Sequence, residues 1–312
     1  MSIRTAPSRA ASLLACLMLP PRAVLLVIVL LSLQAGLAQA ETVYVRAGRM
    51  LDVESGRLLE DRAILVEDGR IARIGPAAAL PPPAGARVHD LSGYTVLPGL
   101  MDAHTHLIGD AGKHGYDGLG DSLPTSTLYG AANARATLLA GFTTVRDLGG
   151  PGFADVALRD AIAAGVVDGP RIIAAGPAIG ITGGHCSDDN LLPFERKSQG
   201  EGVADGPWEV RRQVRRNIKY GVDLIKTCST GGVLSKGTEV GAPQYTVEEL
   251  RALVEEAHSH GRKVASHAHG ASGIRNALEA GVDSIEHGSF IDDAGIALAK
   301  KNGAVLVMDI YN

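Results

Sequence analysis

The chain has 312 residues, 46% of them hydrophobic and 4% aromatic, with a formal net charge of −4. That length allows one large domain or two moderate ones, and the acidic balance argues against nucleic acid or an anionic membrane as partner, since both need a basic face. Thirty-nine glycines with so few aromatics suit many tight turns between short apolar segments, as in α/β proteins.

Residues 1–40 read as a secretory leader. Arg4, Arg9 and Arg22 precede an apolar run over 23–33, and Ala38-Gln39-Ala40 fits the small-x-small rule of signal peptidase. The run is too short to read as a membrane span. Leu13-Leu14-Ala15-Cys16 looks like a lipoprotein cleavage box, but no apolar stretch of adequate length precedes it; Met18 offers a tidier start than Met1. Cleavage after Ala40 removes three arginines and no acid, so the net charge moves from −4 to −7. The expectation is an exported protein, periplasmic or secreted, without a stable membrane anchor. Cys186 and Cys228 remain of the three cysteines and allow at most one bridge, which the sequence leaves open.

From residue 41 the chain reads as short strands. Val43 and Val45 alternate with polar residues, and apolar runs over 63–66 and 71–74 flank Asp68-Gly69, a hairpin turn signal. This predicts a small β-sandwich-like module over 41–93. Pro81-Pro82-Pro83 interrupts it as a loop. Runs over 88–91 and 94–97 then lead into Pro98-Gly99-Leu100-Met101-Asp102-Ala103-His104-Thr105-His106. In a strand, residues i and i+2 share a face, so His104 and His106 present two imidazoles side by side, a pair that suits a divalent metal or is chance on a polar strand end.

Beyond His106 the sequence predicts a long loop over 107–126 and then helices alternating with short apolar strands. Helices are expected over 128–140, 210–220, 247–259, 271–280 and 294–301, each followed by a glycine suited to a left-handed C′ position: Gly141, Gly221, Gly261, Gly281 and Gly303. Thr246-x-x-Glu249 is a capping box. Five or six residues after each glycine stand Arg146 and Asp147, Lys226, His267, Glu286 and His287, and Asp309. Polar residues recurring at that address describe the C-terminal rim of a (β/α)8 TIM-type barrel over 94–312. A doubly wound sheet would gather residues from only a few strands, and no G-x-G-x-x-G follows a strand here. Seven strands are expected, beginning near Tyr94, Thr143, Arg171, Asp223, Lys263, Asp283 and Ala304. The eighth strand is expected to be missing from the chain, so the barrel is incomplete at its C-terminus.

The His104-x-His106 phrase, Lys226 in Leu224-Ile225-Lys226, His267 in Ser266-His267-Ala268-His269-Gly270, and Glu286-His287-Gly288 resemble the amidohydrolase superfamily, nearest its imidazolonepropionase-like and Xaa-Pro dipeptidase-like branch. The resemblance implies a centre of two divalent metal ions, zinc expected: His104 and His106 on one, His267 and His287 on the other, with Lys226 bridging as its carbamate. A protonated lysine cannot bridge two cations, whereas addition of CO₂ makes it an anion with two oxygens. Two metals about 3.5–4 Å apart can activate a water and polarise a carbonyl. The resemblance also places a catalytic Asp on the eighth strand, so no catalytic residue is expected within these 312; Asp309, on the seventh strand, is a poor substitute.

His269 shares a face with His267 and is expected to face substrate or to be a polar rim residue; His185, after Gly183-Gly184, is similarly placed to touch substrate. His258 and His260 sit at a helix end and read as structural, His89 and His114 have no supporting context, and Arg211, Arg212, Arg215 and Arg216 read as a solvated face. The implied function is metal-dependent hydrolysis of an amide bond in a dipeptide or N-acyl amino acid. The alternatives are a cyclic-amide hydrolase and a non-catalytic metal- or solute-binding relative. The partner is a small-molecule or short-peptide substrate; the oligomeric state, a homo-oligomer included, is open.

Overall fold

The computed structural model describes residues 42–308 except 114, 188, 189, 191, 194 and 196–199. The expected leader, His114 and Asp309 lie outside the described residues. The chain forms two compact units that divide between Pro98 and Gly99.

The first unit is one four-stranded sheet of β1 (Val43–Asp52), β2 (Arg57–Glu67), β3 (Arg70–Pro76) and β4 (Arg87–Val96), in the order β3-β2-β1-β4. Asp68 and Gly69 both take positive φ, 51° and 70°, which is the backbone twist a two-residue hairpin needs between β2 and β3. Tyr44, Ala63, Leu65 and Leu80 form its small core, and the Tyr44 hydroxyl donates to the Leu80 carbonyl at 2.9 Å. Two expectations change here. A second, sandwiching sheet is absent among the described residues of this unit. Tyr94 does not open the first barrel strand: β4 runs on past Ser92 and Gly93 and pairs in parallel with β1 as far as Met50↔Val96. The ladder slips between Ala47 and Arg49, where only a glycine fits, because a Cβ on Gly48 would run into the Ser92 carbonyl. That long-range pairing moves the boundary from residue 93 to Pro98.

The second unit is α/β with parallel sheets. Strands β5 (Leu100–Thr105), β6 (Phe142–Asp147) and β7 (Arg171–Ala174) form one sheet; β8 (Leu224–Cys228), β9 (Lys263–Ala268), β10 (Ser284–His287) and β11 (Val305–Val307) form the other in chain order. The sheets abut at β7 and β8, where the Asp223 amide donates to the Ala174 carbonyl at 2.8 Å and Ile179 bridges Thr227 in parallel. Among the described residues six helices alternate with the strands: α1 (Leu123–Leu139), α2 (Ala154–Ala163), α3 (Gly206–Lys219), α4 (Val247–Ser259), α5 (Ala271–Ala280) and α6 (Asp293–Asn302).

Local signals explain most of these boundaries. The capping box forms at Thr246 and Glu249, and α4 buries Leu250, Leu253, Val254 and Ala257, the one-face spacing of an amphipathic helix. All five predicted C′ glycines are left-handed, with φ between 68° and 98°. Helix α1 begins earlier than its apolar pattern suggests because Ser122 caps it, accepting from the Thr125 amide. That start and a short 3-10 turn at Gly115–Gly120 shorten the expected loop. Helix α2 carries no such signal: its N-cap is Phe153 in a left-handed conformation without a side-chain cap. Among the described residues no helix is long and apolar enough to cross a membrane.

Candidate active site

The candidate residues sit at or just past the carboxyl ends of the parallel strands. His104 lies in β5 and His106 just beyond it, Lys226 in β8, His267 in β9 with His269 just beyond, and His287 ends β10. Every residue of β8 is buried, so Lys226 is carried into the interior, 3% exposed. At His287 the chain turns sharply: φ is 70°, and the Gly288 amide donates back to the Glu286 carbonyl at 3.0 Å. A non-glycine residue held left-handed in so tight a turn stores strain, a feature that gathers at functional sites.

Six histidines form one continuous cluster. Ring centroids of His267, His269 and His287 make a near-equilateral triangle with sides of 4.7, 4.7 and 4.8 Å. His104 lies 4.8 Å from His287 and 5.3 Å from His106, and His185 lies 4.1 Å from His267. The structure thus brings together every histidine singled out for metal or substrate. It also groups His269 with His267 and His287, whose ligand atoms all lie within 4.8 Å of one another.

Burial, with the Lys226 charge adding to it, lowers four of these imidazoles. Burial pushes His185 down to about 4, and Lys226 adds to it; His106, which keeps a water-accessible face inside a crowded recess, falls to about 3 for the same two reasons. Burial likewise lowers His104 and His267. These imidazoles are therefore neutral at pH 7, the form that ligates metal. His106 Nδ1 lies 3.4 Å from the Gly149 carbonyl and His267 Nε2 lies 3.0 Å from the Gly231 carbonyl, which fixes one nitrogen of each ring and leaves the other for a ligand.

Three residues noted in the sequence only for their address have partners here. Asp147 is fully buried; its Oδ2 accepts from the Leu107 amide at 3.2 Å while Oδ1 makes no hydrogen bond among the described residues, and burial with the neighbouring Asp155 raises it to about 8. Arg146 and Glu286 form a buried ion pair at 2.7 Å. Removing either partner of such a pair strands a charge, at a cost of about 3–5 kcal/mol. The regular count from each helix-ending glycine was the sequence signal for all three.

Beside the cluster, Cys186 and Cys228 are joined in a disulfide. His258 Nε2 sits 2.8 Å from Asp283, and His260 Nε2 sits 3.2 Å from Glu256, both structural contacts. Arg211 and Arg215 are each neutralised at 2.6 Å, by Glu255 and Glu256, as a solvated face requires.

Parallel β/α alternation with a histidine cluster at the strand ends defines a protein whose site is built at one end of its strands. Residues 95–310 match the amidohydrolase family, and the chain belongs to it. A solved Xaa-Pro dipeptidase with methionine bound in its active site is 37% identical, with a TM-score of 0.78 over 86% of this chain and 66% of that one. Ochratoxinase from Aspergillus niger is 33% identical over 86% of this chain and 59% of its own length. Imidazolonepropionase from Deinococcus radiodurans is 30% identical over 74% of this chain and 58% of its own. The chain therefore spans less than two thirds of the relatives it matches.

Proposed function

We propose that this protein is a metal-dependent hydrolase of amide bonds, acting on a dipeptide or N-acyl amino acid, built on a (β/α)8 barrel to which β5–β11 contribute seven strands. The observation that carries the reading is the joining of His104, His106, His267 and His287 through ring contacts at the ends of parallel strands, with Lys226 buried on β8 beside the strand that carries His267.

The donor set fits a metal centre: His104, His106 and His267 are neutral imidazoles, His106 and His267 each have one nitrogen held by a backbone carbonyl and one remaining, and Lys226 is buried. His104, His106, Lys226, His267 and His287 would hold two divalent ions, zinc being suited to these donors, and the ions would polarise the scissile carbonyl and activate a water. Lys226 would serve as its carbamate, formed when its neutral amine nitrogen bonds to the carbon of CO₂ with loss of one proton, which turns a cation that repels metal into an anionic donor. His185 Nδ1, buried and without a hydrogen-bond partner among the described residues, is the atom offered to a donor on the substrate. His269 is held by Ser289, 2.8 Å from its Nδ1, and presents its other nitrogen to the same space.

The names of the dipeptidase and of a solved prolidase 33% identical, bound to N-methylphosphonate-L-proline, favour a peptide-like substrate. The imidazolonepropionase relative supports a cyclic amide as the second reading. Release of amino acid from a panel of Xaa-Pro dipeptides and N-acyl amino acids, with and without added Zn²⁺, tests the first; ring opening of cyclic amides tests the second. Metal binding without turnover of either panel would leave a non-catalytic binding protein.

A further inference from the structure

We propose that Glu286 is a positioning residue for His104, held by an Arg146 clamp that ties β5, β6 and β10 together. The inference rests on the metal-centre reading above and assigns a role to residues outside its ligand set.

The clamp is described by four contacts. From β6, Arg146 Nε donates to the carbonyl of Ala103, the residue before His104, at 2.6 Å. One terminal nitrogen donates to Ser284 Oγ at 3.1 Å, and the other donates to both Glu286 oxygens at 2.7 Å. Ser284 in turn donates to Glu286 Oε1 at 2.6 Å. The Glu286 carboxylate is fully buried, and with so many donors converging on it its orientation is over-determined.

Its Oε2 lies 3.4 Å from His104 Nδ1, a buried nitrogen that makes no hydrogen bond among the described residues. A carboxylate beside Nδ1 favours the tautomer that carries its proton there, which leaves Nε2 deprotonated as the ligand atom and holds the ring against rotation. The same arginine grips the backbone just before His104 and the side chain just before His287. One guanidinium thus sets the relative position of the two strand ends that supply one histidine to each proposed ion.

The test uses the full chain loaded with Zn²⁺. Bound metal per chain and the rate of its transfer to a chromophoric chelator are measured for wild type, Glu286→Gln, Ser284→Ala, His104→Ala and each carboxylate-side variant combined with His104→Ala. Glu286→Gln is expected to release metal about 10- to 100-fold faster, the range for loss of a group that orients a ligand, and Ser284→Ala to shift release less in the same direction. In the His104→Ala background neither change accelerates release further, because the effect passes through that ring. Should Glu286→Gln fail to fold, Ser284→Ala in the two His104 backgrounds decides. Unchanged release in these variants, or equal acceleration with and without His104, overturns the positioning role. A wild-type protein that takes up no metal overturns the metal-centre reading and this inference with it.

Discussion

Cys186 and Cys228 are bonded across 42 residues of chain with their Cα atoms 5.9 Å apart, which fastens the segment carrying His185 to the strand carrying Lys226. A cross-link closing a loop of that length stabilises a fold by about 4 kcal/mol in the chain-entropy account. Reductant, or Cys228→Ser, is therefore expected to lower the thermal midpoint and to increase hydrogen exchange at His185 more than at Lys226. Peptide mapping without reduction checks the bond itself; two alkylatable thiols in the native protein would count against it.

Disulfides form and persist mainly in oxidising compartments, so the expected export leader carries a prediction of its own. Cleavage after Ala40 is expected to give a secreted or periplasmic chain beginning Glu41-Thr42-Val43. N-terminal sequencing of the exported protein reads this directly, and a retained leader would indicate an anchor in its place.

Lys226→Ala removes the proposed bridge. Metal content is expected to fall from near two ions per chain together with activity, and short carboxylic acids to restore part of both by standing in for the carbamate. Full metal content in the variant would take the lysine out of the centre and leave a histidine-only site.

Gly232→Ala addresses His185 without touching it. A Cβ at residue 232 would collide with the His185 imidazole, so the ring must turn away from His267. The expected result is a raised KM with unchanged metal content and little loss of thermal stability. A KM equal to wild type would show that His185 does not contact substrate.

Asp147 predicts a pH dependence with a definite sign. The folded chain holds its proton up to about 8, whereas the unfolded chain releases it near 3.8, so unfolding releases a proton between those values. Stability from this group is complete below 3.8 and declines as pH rises through about 8. Asp147→Asn should unfold with a shallower decline over that window, as measured by denaturant titration at stepped pH. Parallel pH profiles would mean that Asp147 is ionised in the folded state.

What could be read from the sequence was local. The capping box at Thr246 and Glu249, the left-handed glycines ending five helices, the Asp68-Gly69 hairpin and the shared face of His104 and His106 each depend on residues within a few positions of one another, so their physics is complete in a short stretch of chain. Five of the second unit's strands follow from counting on from those glycines, and the first, which none of them precedes, begins at Leu100 rather than Tyr94. The tertiary structure decided what depends on residues far apart. The β1–β4 ladder claimed residues 94–96 for the first unit, Cys186 met Cys228, His185 came over His267, and the buried Glu286 carboxylate found Arg146 and His104 at once. A carboxylate, an arginine or a cysteine has the same local signature wherever it stands. For Glu286 the partner is chosen by the packing that brings the ends of β5, β6 and β10 within reach of one another, and that choice is made only when the two parallel sheets come together.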